Sequence, residues 1–332
     1  MPTKEPVSLD TWGIIPALLA LLVVLTAADA FAAAPYPSKP VRLIVPYPPG
    51  GSTDIIGRLI AAKLSDHLGK QVVVDNRGGA SSIIGTEMVA KADPDGHTLL
   101  ITTAVYTILP ALQTLPYDPI KSFTPIARVG SGPNALVVHP GVPANSVREL
   151  IALAKQKPGK LVFGTPGMVG ISHMSTELLM RLSGIDLKIV HFKGAGPAMI
   201  DLIGGHSQGS IASLQAALPH IKSGKLRVLG MGGLKRCDIL PDVPTIAEAG
   251  VPGYEALVWW GILAPAGTPA AIVERLTKEL KSILASDELK KQYLNEGAEG
   301  DFLGPAEFGQ FLETDMAKWF RIVKEANIKV EK

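Results

Sequence analysis

Residues 41–54 read Val41-Arg42-Leu43-Ile44-Val45-Pro46-Tyr47-Pro48-Pro49-Gly50-Gly51-Ser52-Thr53-Asp54. The run 41–45 is apolar and reads as a buried strand. Pro46 ends it, and two more prolines and two glycines make a turn. Over 53–68, Ile55, Ile56, Leu59, Ile60 and Leu64 recur at helical spacing. A strand that runs through a glycine turn into a helix is the first half of a βαβ unit.

Working outward, the pattern repeats. Strands are expected over 71–75, 98–102 and 135–139, with a helix over 146–156. A second cycle opens with a strand over 160–164, the turn Thr165-Pro166-Gly167-Met168-Val169-Gly170 and a helix over 172–183. A strand over 187–192 then leads through Lys193-Gly194-Ala195-Gly196-Pro197 into a helix over 198–203. Strands over 226–231 and 261–264 follow, and helices over 269–285, 287–296 and 305–326 close the chain. This alternation predicts an α/β protein with parallel sheets covered on both faces. The echo of strand, Gly/Pro turn and helix near 41–68 and 160–183 predicts two similar lobes. Ligands of open α/β sheets sit beyond the carboxyl ends of the strands, so the cleft between the lobes is the expected site.

The bulk numbers agree. The 332 residues are 47% hydrophobic and 19% charged, enough for a large core. Aromatics are sparse at 5%, whereas 34 glycines and 27 prolines suit many tight turns. The net charge of +2 is spread along the chain, with no basic run that reads as a nucleic-acid patch. The single cysteine, Cys237, excludes an internal disulfide framework.

Residues 14–28, IIPALLALLVVLTAA, are too short for the roughly twenty residues of a membrane span. They fit the apolar core of a secretory signal peptide, and the small residues after them place cleavage near Ala32 to Ala34. The expected location is periplasmic. The segment before the apolar run is not basic, because Glu5 and Asp10 offset Lys4.

Both glycine turns have the chemistry of an anion site. Glycines let backbone N–H groups approach a ligand. Ser52 or Thr53 and Ser172 stand where a helix starts, and helix starts carry free donors and partial positive charge. The same residues also make ordinary strand–helix turns, and local physics leaves the two readings even. His173 and Glu177 are four apart, but Met174 stands where a zinc motif needs Glu, and no Cys/His cluster has metal spacing. Neither a metal nor a cofactor is expected. Gly170-Ile171-Ser172-His173-Met174 lacks the last glycine of a nucleophile elbow. A hydrolase using Ser172 and His173 is the enzyme alternative. It is geometrically poor, because adjacent residues at a helix start point apart.

Further segments carry a resemblance: VAKADPDGHTLL, LVVHP, HFKGAGPAMIDLIGG, ALPHIKSGKLRVLG, LPDVPTIAEAGVPGYEALVWWG and LAPAGTP, in order after VRLIVPYPPGGSTD. Together they resemble the Bug family, the substrate-binding receptors of tripartite tricarboxylate transporters. The resemblance spans about 37–324. It implies a type II periplasmic-binding-protein fold without catalysis. Lobe I would be 35–135 with 255–332, and lobe II 136–254. It implies a small carboxylate ligand, membrane permease subunits as partners and a monomer; a sensor feeding a signalling system is the rival role.

The ligand residues carried over are Tyr47, Gly50, Gly51, Ser52 and Asp54 in the first lobe. In the second they are Thr165, Gly167, Gly170, Ser172, His173, Lys193 and Gln208. Asp201 is expected to face neighbours of its helix. The chain departs from the family at Gln208, where an acid is usual, at Ala212-Ser213, at Ser81-Ser82-Ile83-Ile84 and over 102–109. Fewer acids near the cleft argue against an amino-acid ligand and for a di- or tricarboxylate or an aromatic acid. Trp259 and Trp260 would either stack on an aromatic ligand or pack at the hinge.

Overall fold

A computed structural model of the chain describes residues 36–167 and 169–326. The expected signal segment and Met168 of the second turn lie outside the described residues. Residues 36–38 belong to a unit, Met1–Ser38, separate from Lys39–Lys332, and the architecture below is that of the second unit.

In chain order its elements are β1 (Val41–Val45), α1 (Ser52–Leu68), β2 (Val72–Asn76), α2 (Ile83–Ala90), β3 (Thr98–Thr102), α3 (Val105–Ile108), β4 (Phe123–Val138), α4 (Val147–Gln156), β5 (Val162–Thr165), α5 (Ile171–Ser183) and β6 (Lys188–His191). They continue as α6 (Ala195–Ile203), β7 (Gly209–Ser213), α7 (Leu214–Lys222), β8 (Arg227–Met231), β9 (Leu257–Pro265), α8 (Ala270–Ala285), α9 (Asp287–Asn295) and α10 (Pro305–Ala326). Among the described residues no helix is long and apolar enough to cross a membrane.

The strands lie in the order β2-β1-β3-β9-β4-β7-β5-β6, with β8 also on β4. Only the two ends are parallel: β1 with β2 and β3, and β5 with β6 and β7. β9 is antiparallel to β3 and β4, and β4 is antiparallel to β7 and β8. The expected parallel sheets are found in both end portions, and the two long strands that pass between the halves add the antiparallel pairs. β4 pairs with β9 from Phe123 to Pro133, then with β7 from Asn134 to Val138. One strand of 16 residues thus enters the second half-sheet, and β9 brings the chain back.

Each half has its own core. Ile44, Leu100, Phe123, Leu263, Phe308 and Trp319 cluster in the first. In the second, β4 is covered on both faces. Leu136 and Val138 pack with Val147, Leu150, Phe163 and Ile211, whereas Ala135 and Val137 pack with Leu202, Leu214 and Met231. Alternate residues of a strand face opposite sides, so a strand buried on both reads as a continuous apolar run. The apolar signal at 135–139 has that origin.

The first part of β4 had no such signal, since Pro125, Gly130, Gly132 and Pro133 read as breakers. The register shifts after Pro125 and after Arg128. A Cβ at Gly130 would lie 2.9 Å from the Tyr293 ring, and one at Gly261 of β9 would lie 2.1 Å from Phe308 Cζ. These glycines let aromatic rings lie on the backbone of the crossing strands.

Candidate functional site

The first turn, 46–51, leaves β1 and enters α1. Gly50 has φ 85°, a conformation glycine adopts without strain. Asp54, in the first helical turn, fastens it from behind. Its carboxylate accepts from Gly50 N at 2.9 Å and from Asn76 Nδ2 at 2.9 Å, and pairs with Arg58 at 2.9 Å. Asn76 also donates to the Tyr47 carbonyl at 3.2 Å. Burial pushes the Asp54 carboxyl up, but the donors Arg58, Gly50 and Asn76 outweigh it and hold the group below its ordinary range. Burial raises the Tyr47 phenol well above its ordinary value, so it stays neutral.

The second turn, 166–170, leaves β5 and enters α5, and it too is held from behind. Thr165 is fully buried, and its Oγ1 donates to Gly167 O at 3.0 Å and lies 2.8 Å from His191 Nδ1. His191 Nδ1 is 3.1 Å from the same carbonyl. The rings of His173 and His191 meet edge to face at 4.8 Å, and His173 Nε2 is 3.4 Å from Glu177. Burial, then the nearby His173, pull the His191 pKa below its ordinary value. The Ser172 hydroxyl donates to the Ile211 carbonyl.

A cleft of about 510 Å³ opens between the two turns. Of the residues expected to bind ligand, Tyr47, Gly51, Ser52, Gly167, Gly170, Ser172 and Lys193 line it. Gly50, Asp54, Thr165, His173 and Gln208 are not on its walls. Asp54 and Thr165 stand behind the turns. Gln208 is committed to the start of β5, where its Oε1 accepts from Val162 N at 2.9 Å. Its exchange for the usual acid therefore alters no wall of the cleft, whereas Ser213 is on the wall. Asp201 accepts from Ser207, on its own side of the fold. Trp259 packs edge-on against Phe308 and Phe311, at 5.9 and 5.3 Å, and neither it nor Trp260 lines the cleft.

The walls include residues that the sequence reading missed as binding positions. Ala80, Ser81 and Ser82 line the cleft with φ of 46°, 53° and 83°. Three successive non-glycine residues in the left-handed region are a strained loop. The signal for it was the pair Gly78-Gly79 directly after a strand. Thr103, Asn134, Phe192 and Val258 are further wall residues. Asn134 and Val258 come from the crossing strands, whose glycines and prolines hid them.

Three of the helices that begin at the cleft follow a glycine: α1 after Gly51, α5 after Gly170 and α6 after Gly194. None has a side-chain cap. Away from it, α4 and α9 are self-capped: Ser146 accepts from Glu149 N, and Ser286 from Leu289 N. A helix start carries up to four N–H groups without helical partners and partial positive charge. Among the described residues Lys193 is the one charged side chain on the walls. The halves also approach each other at the cleft, since a Cβ at Gly194 would lie 3.2 Å from Pro48 Cγ. The arrangement suits the capture of a small anion.

The sequence model of the TctC family, described as "Tripartite tricarboxylate transporter family receptor", matches residues 56–328. Protein BugT of Bordetella pertussis is 35% identical over 299 residues, covering 89% of this chain and 92% of that protein. Among solved structures, R. palustris Rpa4515 with adipate is 38% identical, with TM-score 0.86 over 89% of this chain and 99% of that one. MatC from Rhodopseudomonas palustris with bound malate is 30% identical, with TM-score 0.80 over 87% of this chain and 100% of that one.

Proposed function

This chain belongs to the tripartite tricarboxylate transporter receptor family, whose members are solute-binding receptors, and on that premise we propose that it captures a small organic carboxylate in the cleft and delivers it to membrane permease subunits. The observation that carries the reading is the set of three uncapped helix starts that follow a glycine and face a cleft without an acidic wall. A carboxylate there accepts backbone N–H bonds from both turns, each helix start contributing about 0.3–1 kcal/mol at an exposed site. Ser52, Gly51, Gly167, Gly170 and Ser172 are the contacts, Lys193 a cation within reach, and Asp54 and Thr165 the props behind them. The adipate and malate complexes of relatives support this ligand class.

The lobes we assign are 35–135 with 255–332 and 136–254. The change of β4 from β9 to β7 at Pro133 and Asn134 supports that division. The place of action is the periplasm, in keeping with relatives described as periplasmic. A role in binding without chemistry is supported by the same site: Ser172 is turned to Ile211 and His173 to Glu177, which speaks against a nucleophile–base pair of the two.

A thermal-shift screen of mono-, di-, tricarboxylic and aromatic acids tests the reading. A ligand that binds only the folded form at a hundredfold excess over Kd stabilises by about 2.7 kcal/mol. Stabilisation by a neutral solute and by no acid overturns it.

A further inference from the structure

We propose that Asn134, in the cleft wall, selects the uncharged part of the ligand by accepting a hydrogen bond from a hydroxyl or amide on a carboxylate that the helix starts hold. This rests on the carboxylate reading above and adds the part of the ligand that reading leaves open.

Asn134 is fully buried, yet it lines the cleft. Its Oδ1 is buried without a partner, and its Nδ2 reaches only the Ala256 carbonyl, at 3.4 Å. Buried polar atoms in folded proteins are almost always paired, so an unpaired one on a cavity wall calls for a reason. The backbone gives it a fixed seat. Asn134 is where β4 leaves β9 and joins β7, and its register partner Ser213 lies on the same cleft. Thr103, also on the wall, has a buried Oγ1 without a partner.

The surroundings set the chemistry. Lys193, the one charged side chain on the described walls, is exposed to solvent, and Val258, on the same cleft wall, is apolar. An ammonium at Asn134 finds no counter-charge, and a second carboxylate there meets an amide oxygen in a water-poor site. A neutral donor completes the amide without burying a charge. The ligand class is therefore a carboxylate bearing a hydroxyl or amide.

The test is isothermal titration calorimetry of wild type and Asn134→Leu with two pairs, malate against succinate and 6-amino-6-oxohexanoate against adipate. Wild type is expected to favour the polar member of at least one pair by about tenfold, the effect of one hydrogen bond. Asn134→Leu abolishes that ratio, because only the polar member loses a hydrogen bond. The ligand-free melting temperature of Asn134→Leu, and of Asn134→Ser as a second variant, is not lowered, since an unpaired buried amide is removed. A wild type that discriminates neither pair, or a ratio that survives in Asn134→Leu, overturns the proposal. So does a lowered Tm with equal weakening of both members, which makes the amide a structural bond to Ala256. Binding of no acid by wild type refutes the carboxylate reading itself, and the ligand-free melt still judges Asn134.

Discussion

Replacing Asp54 by Ala separates two roles for this residue, ligand contact and anchor of the first turn. The carboxylate side chain is 6% exposed and holds three partners: Gly50 N, Asn76 Nδ2 and Arg58. Its removal leaves the Gly50 and Asn76 donors without their acceptor. Hydrogen bonds to a charged group are worth about 1.5–3 kcal/mol each, so these two together give ~3 kcal/mol at the lower figure. The Arg58 side chain is 53% exposed and adds little. At roughly 2 °C per kcal/mol for a chain of this size, Tm falls by about 6 °C. The freed turn must then be ordered by ligand, and Kd for the acid that the screen selects rises by about tenfold. Differential scanning calorimetry and titration calorimetry read the two effects. The folded pKa of Asp54 lies below its ordinary 3.8. Its contribution is therefore complete above that value and lost as pH falls through the folded pKa, so the gap between wild type and variant closes in strong acid. An unchanged Tm together with lost binding refutes the anchoring argument, because the carboxylate then acts on the ligand alone.

Two further outcomes follow from the geometry. Ser81 sits at φ 53°, ψ 43°, so Ser81→Gly relieves left-handed strain and raises stability by about 1 kcal/mol in chemical denaturation, whereas no gain means the loop repays that strain elsewhere. His191 has its pKa lowered by burial and by the charge of His173, with Glu177 and Thr165 as its other neighbours. The neutral ring is the folded form, so stability is complete above the ordinary 6.5 and declines as pH falls below it. Melting curves from pH 7.5 to 5 should fall more steeply for wild type than for His191→Gln, and equal slopes refute this account.

The amino-acid sequence by itself determined the α/β class, the strand–turn–helix units that open at Val41 and in the second half, and the two glycine turns. These rest on local chemistry: apolar periodicity, proline and glycine punctuation, and helix starts within a few residues of each turn. Seven of the twelve expected ligand residues reach the cleft wall, because glycines and hydroxyls at a helix start face whatever lies beyond the strand end. Only the tertiary structure decided the rest. It turned Asp54 and Thr165 behind their turns, since a residue one helical turn away or at a strand end can point either way until Asn76 and His191 are placed beside it. It bonded Gln208 to the start of β5. It made Phe123–Val138 one strand, where only 135–139 carries a continuous apolar run, because Tyr293 and Phe308 lie on the crossing backbones. It also brought Asn134 and Val258 to the wall from strands 124 positions apart in the chain, a juxtaposition that no local pattern encodes.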